Sequence, residues 1–131
     1  MSEAAPAIAV VAAVIVRHGR YLLGRRPEHK RHGGLWEFPG GKVGADESLA
    51  EAAARELDEE LSVACAGVGA HLWSSGDPGS PYRIEFVEVR IDGEPRALEH
   101  TEVGWFTTGE LREMPLAPTD RAFVERLARS S

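Results

Sequence analysis

The order of strand and helix signals along the 131-residue chain predicts an α/β fold in which a mixed β-sheet is covered by helices on two faces. Three observations predict it. Short runs rich in Val, Ile and aromatic residues recur between Gly- and Pro-containing turns; one Ala-rich segment opens on an S-x-x-E capping signature; and the last segment repeats apolar residues at helical spacing. With 43% hydrophobic residues, this length suits one compact domain, expected over residues 7–131 behind a flexible N-terminus at residues 1–6.

Taken in order, residues 7–16 are Val- and Ile-rich and read as a strand buried on both faces. A tight turn at His18-Gly19-Arg20 leads to a second strand, Tyr21-Leu22-Leu23-Gly24. Residues 25–34 are basic and Gly-punctuated, a loop that runs into Leu35-Trp36-Glu37-Phe38 and a rigid Pro39-Gly40-Gly41 corner. Ser48 and Glu51 form the capping box of a helix reaching about Leu61. Strands are expected near residues 63–73 and 82–91, around a turn-rich stretch at 74–81, and a short one at 103–106. The last helix, about residues 119–129, places Phe123, Val124 and Leu127 on one face and packs rather than catalyses. Trp36, Trp73 and Phe86 are assigned to the core.

The net charge of -6, from 21 acidic and 15 basic residues, argues against a nucleic-acid polymer or an anionic membrane as the partner. A small anion stays compatible if a metal bridges it. Cys65 is the single cysteine, which excludes an intrachain disulfide and an all-cysteine metal site and fits a reducing compartment. The first residues lack the basic region of a secretory signal and the apolar run is too short to span a bilayer, so a cytoplasmic location is expected.

The segment Arg55-Glu56-Leu57-Asp58-Glu59-Glu60 carries the chemistry. Glu56, Glu59 and Glu60 stand at i, i+3 and i+4 and project from one side of the helix, where like charges repel by a few tenths of a kcal/mol per pair and oppose the helix dipole. A solvated acidic face is the rival reading. Against it, clustered carboxylates beside an open loop suit Mg²⁺, which prefers oxygen ligands, and Gly40 and Gly41 just upstream remove side chains where a carbonyl or phosphate must approach. Glu47, before the cap, and Arg55 are spaced to pair as scaffold.

Gly41, five residues, Glu47, seven residues, and then Arg55 to Val63 resemble the Nudix box, G-x5-E-x7-R-E-U-x-E-E-x-G-U, at eight of its nine defining positions. The approach Leu35-Trp36-Glu37-Phe38-Pro39-Gly40-Gly41-Lys42 is similar to MutT and related triphosphate pyrophosphohydrolases, and Glu94-Pro95, Glu99 and Trp105 look like the MutT segment that adds a carboxylate. The resemblance implies a Nudix-type α/β/α sandwich with a mixed β-sheet and a loop-helix-loop catalytic motif. It further implies that Glu56, Glu59, Glu60, Glu99 and the Gly40 carbonyl bind Mg²⁺, with Mn²⁺ as a substitute, and that Glu56 or Glu99 orients or deprotonates water, Glu56 being preferred. Glu47 and Arg55 would brace the motif. The implied reaction is in-line attack of water on a nucleoside triphosphate, releasing the monophosphate and pyrophosphate.

For substrate, Arg26 matches the spacing of a substrate-binding arginine in MutT-like proteins, and Arg25 and Lys42 can supplement the metal on the phosphates; solvated surface charge is the alternative for each. Phe38 and Asp120 match positions lining the base pocket, as an apolar wall and a polar reader. Asp120 equally suits the first turn of the last helix. An oxidised purine such as 8-oxo-dGTP or a cytidine triphosphate is expected, in a role of cleansing the nucleotide pool, with the protein a monomer or homodimer. ADP-ribose or another nucleoside diphosphate derivative is the enzymatic alternative, to which Pro78 lends little, and a non-catalytic nucleotide-binding module is the other. Two departures stand out: Ser62 occupies the final Gly of the box, and Gly44 and Asp46 depart from the usual K-V-E-x-G-E, so that one loop carboxylate is missing and another is shifted.

Overall fold

The computed structural model describes residues 8–76 and 79–130, so the expected flexible N-terminus and Pro78 lie outside the described residues. Eight strands and three helices are formed among them: β1 (Ile8–Val14), β2 (Val16–Arg17), β3 (Arg20–Arg25), β4 (Trp36–Glu37), β5 (Gly40–Lys42), α1 (Leu49–Leu61), β6 (Ala64–Ser75), β7 (Tyr82–Asp92), β8 (Glu102–Phe106), α2 (Thr108–Glu113) and α3 (Pro118–Ser130). The strands divide between two sheets rather than forming one. The first is mixed, in the order β5-β1-β7-β6, with β1 parallel to β7 and the other pairs antiparallel. The second is antiparallel and centres on β3, which pairs β2, β4 and β8.

Side-chain alternation on β1 explains why helices are needed on both sides. Val11, Ala13 and Ile15 face a core completed by Ala52, Ala53, Leu57 and Leu61 of α1. Ala12 and Val14 face the other way, against Leu111 of α2 and Phe123 and Val124 of α3. Such a strand has no wet face, which is why it reads as a continuous apolar run. β7 and β3 divide their residues likewise: Val87, Val89 and Leu22 join the α1 side, Phe86 and Leu23 the α3 side. Phe86 stacks on Phe123 at 4.3 Å between ring centroids, and Trp36 and Trp73 pack against the same cluster.

The β2–β3 turn has His18 and Gly19 at φ 51° and 75°, the positive values a two-residue hairpin of this twist needs. Helix α2 is an element that the strand-and-helix reading passes over. Its capping box is nonetheless in the chain: Thr107 accepts from the Glu110 amide at 3.2 Å while Glu110 accepts from the Thr107 amide at 2.8 Å. Six residues without a long apolar stripe explain the omission.

Helix α1 begins and ends as the sequence indicates. Ser48 Oγ accepts from the Glu51 amide at 3.1 Å, and Glu51 accepts from the Ser48 amide at 2.9 Å. At the other end Ser62 is left-handed, φ 54° and ψ 41°, and its amide donates to the Asp58 carbonyl at 3.1 Å. A side chain is strained in this backbone region and glycine is not. Ser62→Gly is therefore expected to raise unfolding stability by about 1 kcal/mol. A higher urea midpoint at unchanged m-value checks this, and a lower midpoint contradicts it.

Candidate functional site

The site is assembled where the Pro39-Gly40-Gly41 corner crosses the side of α1. Pairing of β5 with β1 sets Gly40 opposite Ala12, so close that a Cβ on Gly40 would lie 1.9 Å from the Val11 carbonyl oxygen. A Cβ on Gly41 would lie 2.5 Å from the carboxyl carbon of Glu56. The two glycines thus let β5 pack on β1 and let the Glu56 carboxylate lie across the strand.

Arg55 braces this arrangement. Its Nε donates to Glu47 Oε2 at 2.7 Å and Nη2 to Glu47 Oε1 at 2.8 Å, a two-pronged pair, while Nη2 also reaches the Lys42 carbonyl at 2.9 Å. Nη1 donates to Glu56 at 2.9 Å and to Glu59 at 3.4 Å. Glu47 in turn accepts from the Gly44 amide at 2.7 Å, and Arg55, followed by that amide, holds its carboxyl down at about 2. Gly44, the departure from the usual loop pattern, is the residue whose amide closes this turn.

The three helix carboxylates do not share one patch evenly. Glu60 follows Leu57 by one turn and is drawn toward the core, 5% exposed, whereas the Glu59 side chain is half exposed and turned toward Arg55. Glu56 lies between them. A cavity of about 310 Å³ is lined by Glu56, Glu60, Glu99, Glu37, Gly40 and Gly41, with Arg26, Lys30 and Lys42 also on its wall. Glu99 is brought there by the end of α1, whose last carbonyls need donors: the Arg96 amide reaches Leu61 O at 2.8 Å and the Leu98 amide reaches Glu60 O at 3.1 Å.

A second cavity of about 230 Å³ adjoins the first and shares Arg26 and Glu37 with it. Tyr82, Ile84 and Asp120 are on its wall, with Arg31 and His32 from the basic loop. Asp120 serves two ends at once. It lies in the first turn of α3, and its Oδ1 accepts from the Phe38 amide at 2.9 Å. Burial pushes its carboxyl up to about 7, with Glu37 adding to the rise and the Phe38 amide and Arg26 opposing it.

Two expected substrate contacts are not brought to either cavity. The Phe38 ring packs edge-on to Tyr21, Phe86 and Phe123 in the core, so it is the backbone of Phe38 that meets Asp120. Arg25 turns to Gly34 O at 3.1 Å and pairs with Glu28 and Glu102, which makes it a brace of the basic loop. Lys42 lines the acidic cavity with its ammonium 5.4 Å from the Tyr82 ring centroid. Arg26 lies at the junction, its Nη1 3.0 Å from Glu37 Oε1. Sequence reasoning missed Glu37 and His100, both on the acidic cavity. Glu37 belongs to a quoted motif but its direction depends on a two-residue strand; His100 follows Glu99 directly, which is the only signal it has.

Glu60 is the test of whether this donor set fits a cation. Burial, followed by Glu56, Glu37 and Glu99, pushes its carboxyl up to about 10, which marks a crowd of oxygens short of positive charge. Among the described residues no three acidic or imidazole groups already converge at metal spacing, because Arg55 draws Glu56 and Glu59 toward itself. Hard carboxylate oxygens of Glu56, Glu60 and Glu99 with the Gly40 backbone nevertheless form the donor chemistry that a divalent cation of the Mg²⁺ type prefers.

A stability experiment follows from Glu60. Burial holds its native carboxyl far above the ordinary value of 4.5, so between these the folded chain holds a proton that the unfolded chain has lost, and stability falls as pH rises toward about 10. Glu60→Gln removes that slope. In chelator-containing buffer, the urea midpoint of the parent is expected to drop relative to Glu60→Gln between pH 6 and 9 (a range of about three pH units), and parallel profiles contradict the assignment.

The profile of the NUDIX domain matches residues 5–127. The chain is 40% identical over 121 residues to the CTP pyrophosphohydrolase of Escherichia coli strain K12, covering 90% of this chain and 89% of the relative. It is 38% identical over 128 residues to putative 8-oxo-dGTP diphosphatase 2 of Mycobacterium tuberculosis, covering 92% and 88%. The solution structure of the E. coli ORF135 protein superposes with a TM-score of 0.79 at 38% identity, covering 93% of this chain and 89% of that one. Match, identity and superposition all span nearly the whole chain, box and cavities included. The chain belongs to the NUDIX domain family.

Proposed function

We propose that this chain hydrolyses a nucleoside triphosphate to the monophosphate and pyrophosphate, with the base in the Asp120 cavity and the phosphates in the acidic one. The observation that carries this reading is the junction: one wall, made of Arg26 and Glu37, separates an acidic cavity from a cavity with aromatic and apolar sides. A nucleotide has that same division into a charged end and a planar end. No helix of the described residues is long and apolar enough to cross a membrane, and a small nucleotide is the ligand of this family.

Mg²⁺, with Mn²⁺ as substitute, would be held by Glu56, Glu60, Glu99 and the Gly40 carbonyl, and would neutralise phosphate oxygens and activate water. Glu56 is fixed by Arg55 and by the missing side chain at Gly41, so it is the carboxylate assigned to orient the attacking water. Glu99, exposed on its loop, completes the donors, with Glu59 as an outer carboxylate. Arg26, Lys42 and Lys30 face the phosphates. Glu47 and Arg55 hold the motif rather than touch substrate.

Cytidine triphosphate is the substrate class this geometry favours. Asp120 Oδ1 is occupied by the Phe38 amide, which leaves Oδ2 for the base, and a carboxyl with a value near 7 can present Oδ2 as a donor. Cytosine offers N3 as an acceptor and N4 as a donor to such a group. The relative named for CTP supports this choice, and the one named for 8-oxo-dGTP supports a guanine-type base, whose N–H groups would prefer ionised Asp120. The protein acts as a monomer or homodimer in either case.

The deciding measurement is turnover of CTP, dCTP, 8-oxo-dGTP, dGTP and ADP-ribose, with pyrophosphate and phosphate quantified separately. Pyrophosphate release that needs Mg²⁺ is expected, with Glu60→Gln reducing kcat by about two orders of magnitude while the fold is kept. Turnover of ADP-ribose alone, or nucleotide binding without hydrolysis, contradicts the proposal. The pH profile separates the bases. For CTP, kcat/KM is expected to fall as pH rises through about 7, where Asp120 loses its proton, and Asp120→Asn is expected to flatten that limb. A rise through the same range assigns a guanine-type base instead.

A further inference from the structure

His100 is the most deeply buried side chain on the wall of the acidic cavity, 4% exposed, and neither the box nor the base cavity accounts for it. Its Nε2 lies 3.0 Å from Glu37 Oε2 and 3.8 Å from Glu60 Oε1, so the hydrogen bond goes to Glu37 and Glu60 is only a neighbour. A carboxylate can only accept, so Nε2 carries the hydrogen. Nδ1 is buried without a partner among the described residues. A buried imidazole that leaves one nitrogen unsatisfied is retained at a desolvation cost, which its single bond to Glu37 must justify.

The fold makes room for this ring at some expense. Gly24, the next-to-last residue of β3, faces it so closely that a Cβ would lie 2.5 Å from the imidazole carbon Cγ. Glycine weakens a strand interior, and here the missing side chain is the seat of His100. The segment is pinned on both sides, since the Leu98 amide donates to Glu60 O at 3.1 Å and the Thr101 amide to Arg25 O at 3.0 Å. The other oxygen of Glu37, Oε1, accepts from Arg26 Nη1 at 3.0 Å, and Arg26 Nε is held by Arg31 O at 2.7 Å. These contacts form a line, His100 to Glu37 to Arg26, ending where the two cavities meet.

We propose that His100 is a positioning residue for substrate binding: it fixes Glu37, and Glu37 fixes the Arg26 guanidinium at the junction of the two cavities. Glu37 clamped on both oxygens is a rigid anchor, so Arg26 meets the phosphate end of the nucleotide already ordered. His100 touches no substrate in this role. The proposal rests on the nucleotide reading given above, and its consequence is specific: loss of His100 weakens binding through Arg26 and leaves the bond-breaking step largely as it was.

The experiment compares the parent, His100→Leu, His100→Gln, Arg26→Ala and the Arg26→Ala, His100→Leu double variant, with CTP and Mg²⁺ and pyrophosphate as the readout. His100→Leu is expected to raise KM about tenfold with kcat within about twofold, and His100→Gln, whose amide can donate from near the Nε2 position, is expected to restore most of the loss. In the Arg26→Ala background His100→Leu adds nothing. Unchanged KM in His100→Leu, an equal rise without Arg26, or a loss confined to kcat overturns the proposal. A ligand-free measurement stands beside it: exchange of the Arg26 Nη1 hydrogens, which are the ones donated to Glu37, followed by ¹⁵N NMR, accelerates in His100→Leu and is restored in His100→Gln. If His100→Leu does not fold, Glu37→Gln is expected to give the same KM rise and the same faster exchange, and parent-like values there overturn the proposal. Failure of the parent to release pyrophosphate from both CTP and 8-oxo-dGTP contradicts the nucleotide reading instead, and the exchange measurement then decides this one.

Discussion

A carboxylate taken out of water must find a proton or a cation, and the placement of Glu60 imposes that choice on its surroundings. The residue sits beside the buried stripe of α1, one turn after Leu57, with Glu56, Glu37 and Glu99 around it. Like charges gathered in a partly dry cleft repel far more than on an open helix. The guanidinium groups nearby are employed as braces: Arg55 holds Glu47 and Glu56, and Arg26 holds Glu37. Each guanidinium fixes a carboxylate without entering the cavity centre, which leaves the oxygens around Glu60 in need of a divalent ion.

The same economy of parts appears at the second cavity. Asp120 stabilises the first turn of α3 and ties the Phe38 amide, so the helix that covers one face of the sheet is attached to the strand that leads into the glycine corner. Phe38 itself joins Phe86 and Phe123 in the core, and the second cavity takes its walls from Tyr82, Ile84 and the α3 entry instead. Core packing on the α3 side and the shape of this cavity are therefore one problem. The α1 side answers to the acidic cavity, through Leu57 and Leu61 below Glu56 and Glu60. Strand β1 joins the two halves because its residues alternate between them.

Local signals were sufficient for what is encoded locally. The α1 caps, the hairpin turn at His18-Gly19, the glycine corner and the pairing of Glu47 with Arg55 are set by residues close in the chain, and all were legible in it. The box supplied the helix carboxylates for the same reason: their spacing is the chemistry. Division into two sheets was not legible, since pairing partners such as β3 and β8 are about 80 residues apart and no local pattern distinguishes one sheet from another. Helix α2 carried a readable cap but too short an apolar pattern to stand out.

The sequence by itself determined the class of fold, the chemistry of a carboxylate helix and the family resemblance, because these depend on periodicity, capping and spacing within a few turns of chain. Only the tertiary structure decided which carboxylate is buried, that Phe38 and Arg25 serve packing and loop bracing, and that Glu37 and His100 stand on the cavity wall. The physical reason is distance along the chain: His100 meets Glu37 across 63 residues, and Asp120 meets Phe38 across 82. Long-range contacts of that kind follow from how the sheets and helices close on one another, and it is closure that turns a set of acidic and basic residues into a junction between two cavities.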